Sequence, residues 1–108
     1  MSDGRLAAGI EVSALLAQAR HSGGFGTVLR RGDAERGSLM LVLTERGQNR
    51  FLLQRLLQPD GGYAWESQGI ADSGLLDGKL RRARERDPDL WLIELDVPSA
   101  ERFIAEMT

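Results

Sequence analysis

Four carboxylates fall within ten residues in the run Asp87-Pro88-Asp89-Leu90-Trp91-Leu92-Ile93-Glu94-Leu95-Asp96. Hard oxygen ligands grouped at a strand suit Mg²⁺, so Asp87, Asp89, Glu94 and Asp96 would serve a metal-dependent hydrolase or nuclease. A restriction-nuclease-like core follows its Pro-Asp pair with an acidic-x-Lys strand. Here Pro88-Asp89 leads to Glu94-Leu95-Asp96, and the lysine is missing. Strand alternation also turns Glu94 and Asp96 away from Trp91 and Ile93. The plainer expectation is a solvated strand face behind a helix that stops at Asp87-Pro88.

The second concentration of charge is basic. Residues 79–86 hold Lys79, Arg81, Arg82, Arg84 and Arg86 against Glu85, a balance of +4, whereas residues 87–108 carry six carboxylates against Arg102, a balance of −5. On a helical wheel Lys79, Arg82 and Arg86 form one stripe that would meet phosphates or an acidic partner. Cations in a last helical turn also complement the helix dipole, which is the structural account of the same residues. A formal net charge of −2 argues against a general nucleic-acid binder. Tyr63 and Trp65 share one face of an expected edge strand and are candidate anchors for a partner.

Other chemistry is scarce. There is no cysteine, so thiolate nucleophiles, cysteine metal sites and disulfides are excluded. The single histidine, His21, falls at a predicted helix C-terminus, a capping position, and a multi-histidine zinc site cannot be built. Gly23-Gly24-Phe25-Gly26 follows a helix and enters a strand, whereas a phosphate cradle must open a helix. Arg30, Arg31 and Asp33 border a hairpin loop in which Asp33 is expected to bond its own backbone.

The elements that must position these residues follow from periodicity. Val12, Leu15, Leu16 and Ala19 predict an amphipathic helix from Ile10 to the double glycine. Strands are predicted over 25–31, 38–44, 50–57 and 63–68, with a turn at Gly47-Gln48-Asn49, and the short loops imply an antiparallel meander. Leu39 to Leu43 shows no polar alternation and is expected to be central. A helix over 75–86, a strand over 90–97 and a short helix after Pro98-Ser99 complete the chain. The result is a single α+β domain over 1–108, a mostly antiparallel sheet of about five strands in the order α-β-β-β-β-α-β-α with helices packed on it. Residues 1–9 are expected to be a flexible N-terminus.

Three segments carry a resemblance: Glu11 to Leu16, Gly24 to Asp33 with its Arg30-Arg31-Gly32-Asp33 step, and Asp87 to Glu94 with Asp87-Pro88-Asp89-Leu90-Trp91. Together they resemble a family of short alphaproteobacterial proteins known only as a domain of unknown function. Gly61 to Glu66 is similar as well. The resemblance spans nearly the whole chain and implies a bacterial cytoplasmic location and no assigned activity.

With few catalytic parts, the expected function is that of a small non-catalytic cytoplasmic binding or adaptor domain. Its expected partner is another protein or a second copy of itself, with no cofactor, no nucleic acid and no membrane. Arg30, Arg31, Asp33, Tyr63, Trp65, Lys79, Arg82 and Arg86 are the candidate contact residues. The alternatives are the metal-dependent enzyme and nucleic-acid binding through the basic helix.

Overall fold

The computed structural model of the protein describes residues 7–70 and 72–107. Its elements are α1 (Ala8–His21), β1 (Phe25–Arg30), β2 (Leu39–Glu45), β3 (Gln48–Leu57), β4 (Tyr63–Gly69), α2 (Ser73–Arg86), β5 (Trp91–Asp96) and α3 (Ala100–Met107). The α+β class and the element order agree with the sequence reading. Residues 1–6 of the segment expected to be flexible lie outside the described residues, but Ala8 and Gly9 belong to α1. Their amides donate to Glu35 and Ala34 carbonyls, and Ala8 is buried.

The meander fails at its first step. The strand order is β1-β5-β2-β3-β4, so β5 enters between β1 and β2, antiparallel to the first and parallel to the second. The reason is burial. Leu90 to Ile93 is apolar on both faces and needs a neighbour on each side, whereas β1 is largely exposed and suits an edge. β2 is central and buried nearly throughout, as its uninterrupted apolar run requires.

Two smaller differences have local causes. The β2–β3 turn is Arg46-Gly47, both with positive φ (52° and 80°), so Gln48 and Asn49 already belong to β3. Such a two-residue turn matches the twist of paired strands better than the longer turn expected from sequence. α2 begins at Ser73 because the Asp72 carboxylate accepts the Leu75 amide at 3.0 Å.

The sheet carries a core on each face. Leu41, Leu43, Leu53, Trp91, Ile93 and Leu95 lie under α1 and α3, where Val12, Ala19 and Phe103 meet them. Met40, Val42, Leu52 and Leu92 lie under α2, where Leu76 and Ala83 close the other side. No described helix is long and apolar enough to cross a membrane.

Candidate functional site

The Arg30-to-Asp33 step and the Asp87-to-Trp91 segment, far apart in sequence, meet at one corner of the molecule. The Asp33 amide donates to the Asp89 carbonyl at 3.0 Å, and the Trp91 indole Nε1 donates to the Asp33 carbonyl at 2.8 Å. From α2, Arg84 donates to the carbonyls of Arg31 (3.1 Å) and Leu90 (2.7 Å). Glycine is needed here: a Cβ on Gly32 would lie 2.2 Å from the Asp89 carbonyl oxygen, and one on Gly37 2.4 Å from it. Asp33 Oδ1 accepts the Arg36 and Glu35 amides at 2.8 and 2.9 Å. Those two bonds, the Arg36 amide first, hold its carboxyl below the usual carboxylate range. The Arg31 guanidinium lies 5.8 Å from the Trp91 ring centre. The corner is thus a backbone lock, and the polar groups that form it are occupied.

The four carboxylates of the C-terminal run do not converge. Asp87 Oδ1 accepts the Asp89 amide at 3.2 Å, before β5 starts. Asp96 closes β5 at its other end, roughly 16 Å along an extended strand from Trp91, and Oδ2 accepts Thr44 Oγ1 (2.9 Å) and the Gly47 amide (2.8 Å). Glu94 stands between them, opposite Thr27. Among the described residues no three His, Cys, Asp or Glu side chains gather as metal ligands.

In α2 Arg82 and Arg86 are exposed and Lys79 is half-buried; among the described residues none of the three makes an ion pair. Trp65 is half-buried rather than free. The Arg55 guanidinium sits 4.9 Å from its ring centre, and Arg55 makes a two-pronged bond to Glu11 of α1 at 2.6 and 3.0 Å. That stack ties α1 to β3 and β4. Tyr63 remains exposed at the tip of the hairpin, opposite Leu57.

The open feature is a groove of about 430 Å³ between β1 and α2. Leu29, Leu80 and Leu92 give it apolar walls, while Arg30, Arg81 and Arg84 with Asp77 and Glu85 give it polar ones. A β-bulge between Val28 and Arg30 inserts Leu29 as an extra residue, so that Leu29 and Arg30 both border the groove. Along the same strand Phe25, Val28 and Leu29 are exposed, Phe25 by 58 %. A second hollow of about 410 Å³ separates the end of α1 from α3. It includes His21, but its Arg102 and Glu106 are paired with each other at 3.6 Å.

Residues 6–105 match the family model of DUF1491, described as a protein of unknown function. The chain belongs to this family. A crystal structure of a DUF1491 family protein from Caulobacter crescentus CB15 is similar at 31 % identity and a TM-score of 0.78, covering 88 % of this chain and 91 % of the other. An NMR structure of a DUF1491 family protein from the same organism gives 33 % and 0.73, covering 85 % and 86 %. The solution structure of protein Atu0922 from A. tumefaciens shares the fold, with a TM-score of 0.75 at 24 % identity over 88 % of each chain. No curated protein matches.

In this DUF1491 chain the groove is what sequence reasoning missed. Leu29 reads as one more apolar strand residue and Leu80 as part of the helix stripe. Leu29 is exposed, and Leu80 only half-buried, because β1 is an edge, and that follows from the insertion of β5. Arg84 read as one cation among five, although it fastens α2 to the corner. Only the pairing of arginine with two carbonyls in space distinguishes it from Arg82.

Proposed function

We propose that this DUF1491 chain is a non-catalytic, cytoplasmic protein-binding module whose contact surface is the β1 edge together with the groove beside α2. One observation carries the reading: an edge strand exposing Phe25, Val28 and Leu29 runs alongside an open groove with three leucines in its walls. Edge strands recruit extended segments through their unpaired main-chain groups, and neighbouring pockets select side chains. Arg30 and Arg81 at the rim favour a segment with carboxylates. The dispersed carboxylates at Asp87, Asp89, Glu94 and Asp96 weigh against the metal-enzyme reading.

The test is affinity capture from nuclease-treated extract of the source cell, comparing the wild type with a Leu29→Glu/Arg81→Glu variant. Both positions are exposed, so the variant is expected to melt as the wild type does and to lose the protein that the wild type retains. Melting in millimolar Mg²⁺ or Mn²⁺ is expected to be unchanged, because a ligand that binds only the native state must raise the midpoint. Capture that the variant leaves intact sinks the reading. So does a saturable metal-dependent rise that Asp89→Asn abolishes.

A further inference from the structure

The free edge of β1 offers main-chain pairing over a short stretch. Trp91 and Val97 donate their amides to the carbonyls of Ser38 and Thr44, so the odd-numbered residues of β5 spend their backbone groups on the β2 side and the even-numbered ones face β1. Glu94 and Asp96 therefore bond Thr27 and Phe25, and the N–H and C=O groups of Gly26 and Val28 point out from the sheet. Past Val28 the bulge ends the regular ladder, and Leu29 and Arg30 border the groove instead. A segment that pairs with Gly26 and Val28 is thus led off the edge at the mouth of the groove, where Leu29, Leu80 and Leu92 form the apolar walls.

We propose that this edge takes an extended segment of a partner protein that seats one apolar side chain between Leu29, Leu80 and Leu92 and sets one carboxylate against Arg30 and Arg81. The inference rests on the groove reading above and gives the segment its chemistry. Charge supplies the argument. Arg30, Arg81 and Arg84 line the groove against Asp77 and Glu85, a balance of +1 that one carboxylate neutralises. Arg84 spends Nη1 on the carbonyls of Arg31 and Leu90. Arg30 and Arg81 are exposed, and among the described residues neither makes an ion pair, although Asp77 and Glu85 stand one helical turn either side of Arg81. Glu94 lies opposite Thr27 on the face that Leu92 shares, so the site has a polarity: a carboxylate is attracted at the Arg30 end and repelled toward Phe25. A phosphate chain would carry its charges past Asp77, Glu85 and Glu94 and would leave Gly26 and Val28 without main-chain partners. β1 of a second copy does not fit either, because Phe25 to Arg30 contains no carboxylate and adds an arginine.

Displayed random heptapeptides are the probe, and fluorescence anisotropy of the selected sequences measures affinity. Selection is expected to enrich an apolar residue followed closely by aspartate, glutamate or the free C-terminus. Replacing that carboxylate by its amide should weaken binding about tenfold, and comparing side-chain with C-terminal amides tells which carboxylate is read. Arg30→Gln and Arg81→Gln should each weaken the acid peptide about tenfold while barely changing its amide, a coupling that a merely structural role would not produce. Arg20→Gln removes the same charge from the exposed surface of α1 and should leave affinity within about twofold. Bound peptide should also slow hydrogen exchange at the Gly26 and Val28 amides. A library that yields no binder, selected peptides without a carboxylate, or affinity that both Arg30→Gln and Arg81→Gln leave unchanged overturns the inference. So does a DNA duplex or decanoate that binds the groove as tightly as the peptide. If any of these occurs while Leu29→Glu/Arg81→Glu still loses the captured protein, the groove reading stands and only the segment's chemistry is wrong. If capture is also unaffected by that variant, both fall.

Discussion

Replacing Gly32 by alanine tests the lock that joins the two family-like segments. The new Cβ would lie 2.2 Å from the Asp89 carbonyl oxygen and 2.7 Å from Trp91 Cδ1. Restoring an ordinary 3.4 Å contact requires the loop to retreat by about 1.2 Å. At that displacement the Asp33 amide can no longer reach the Asp89 carbonyl, and the Trp91 indole loses its acceptor on Asp33. Overpacking costs about 1 to 3 kcal/mol and each of the two hydrogen bonds about 0.5 to 1.5, which together place the loss at roughly 2 to 6 kcal/mol. For a domain of this size that lowers the melting temperature by at least about 8 °C. Gly69→Ala is the control, because nothing lies within 4 Å of its Cβ; it should stay within about 0.5 kcal/mol of the wild type. Urea titration followed by tryptophan fluorescence measures both, with equal slopes showing that only stability has changed. If Gly32→Ala unfolds at the same urea concentration as Gly69→Ala, the close approach does not hold the corner together and the account is wrong.

Trp91→Ala should cost about 3 to 5 kcal/mol, as truncation of a buried aromatic does, and Trp65→Ala clearly less, because that ring is only half-buried beneath Arg55; equal small losses in urea titrations would contradict the assigned burial. Changing Lys79, Arg82 and Arg86 together to Gln should leave folding intact, and neither chain should hold DNA or RNA at physiological salt. Were the stripe to grip phosphates, a log–log salt plot for the wild type would be steeper than that of the triple variant by up to about three units. The lowered pKa of Asp33 means that its carboxylate stabilises the fold above its unfolded-state pKa and stops doing so as pH falls through the folded-state value. Asp33→Asn should therefore flatten part of the decline in urea midpoint on acidification, and an unchanged acid limb would count against the loop geometry.

Local pattern was enough for much of this molecule. The spacing of Val12, Leu15, Leu16 and Ala19 marks α1, the unbroken Leu39-to-Leu43 run marks a central strand, and Asp87-Pro88 ends α2, because side-chain periodicity and proline geometry act over a few residues. The tight Arg46-Gly47 turn was less legible, since arginine is an unusual choice for positive φ. The functional expectation rested only on a shortage of catalytic side chains. What tertiary structure alone decided is the neighbour of each strand. Short loops between β1 and β2 read as a hairpin, yet β5 lies between them, because a strand apolar on both faces gains more from two neighbours than β1 and β2 gain from pairing with each other. That insertion leaves β1 at the edge with Phe25 and Leu29 uncovered and carries Trp91 beneath the Gly32 loop. Each of these contacts joins residues about 50 or more positions apart in the chain, beyond the reach of any local periodicity.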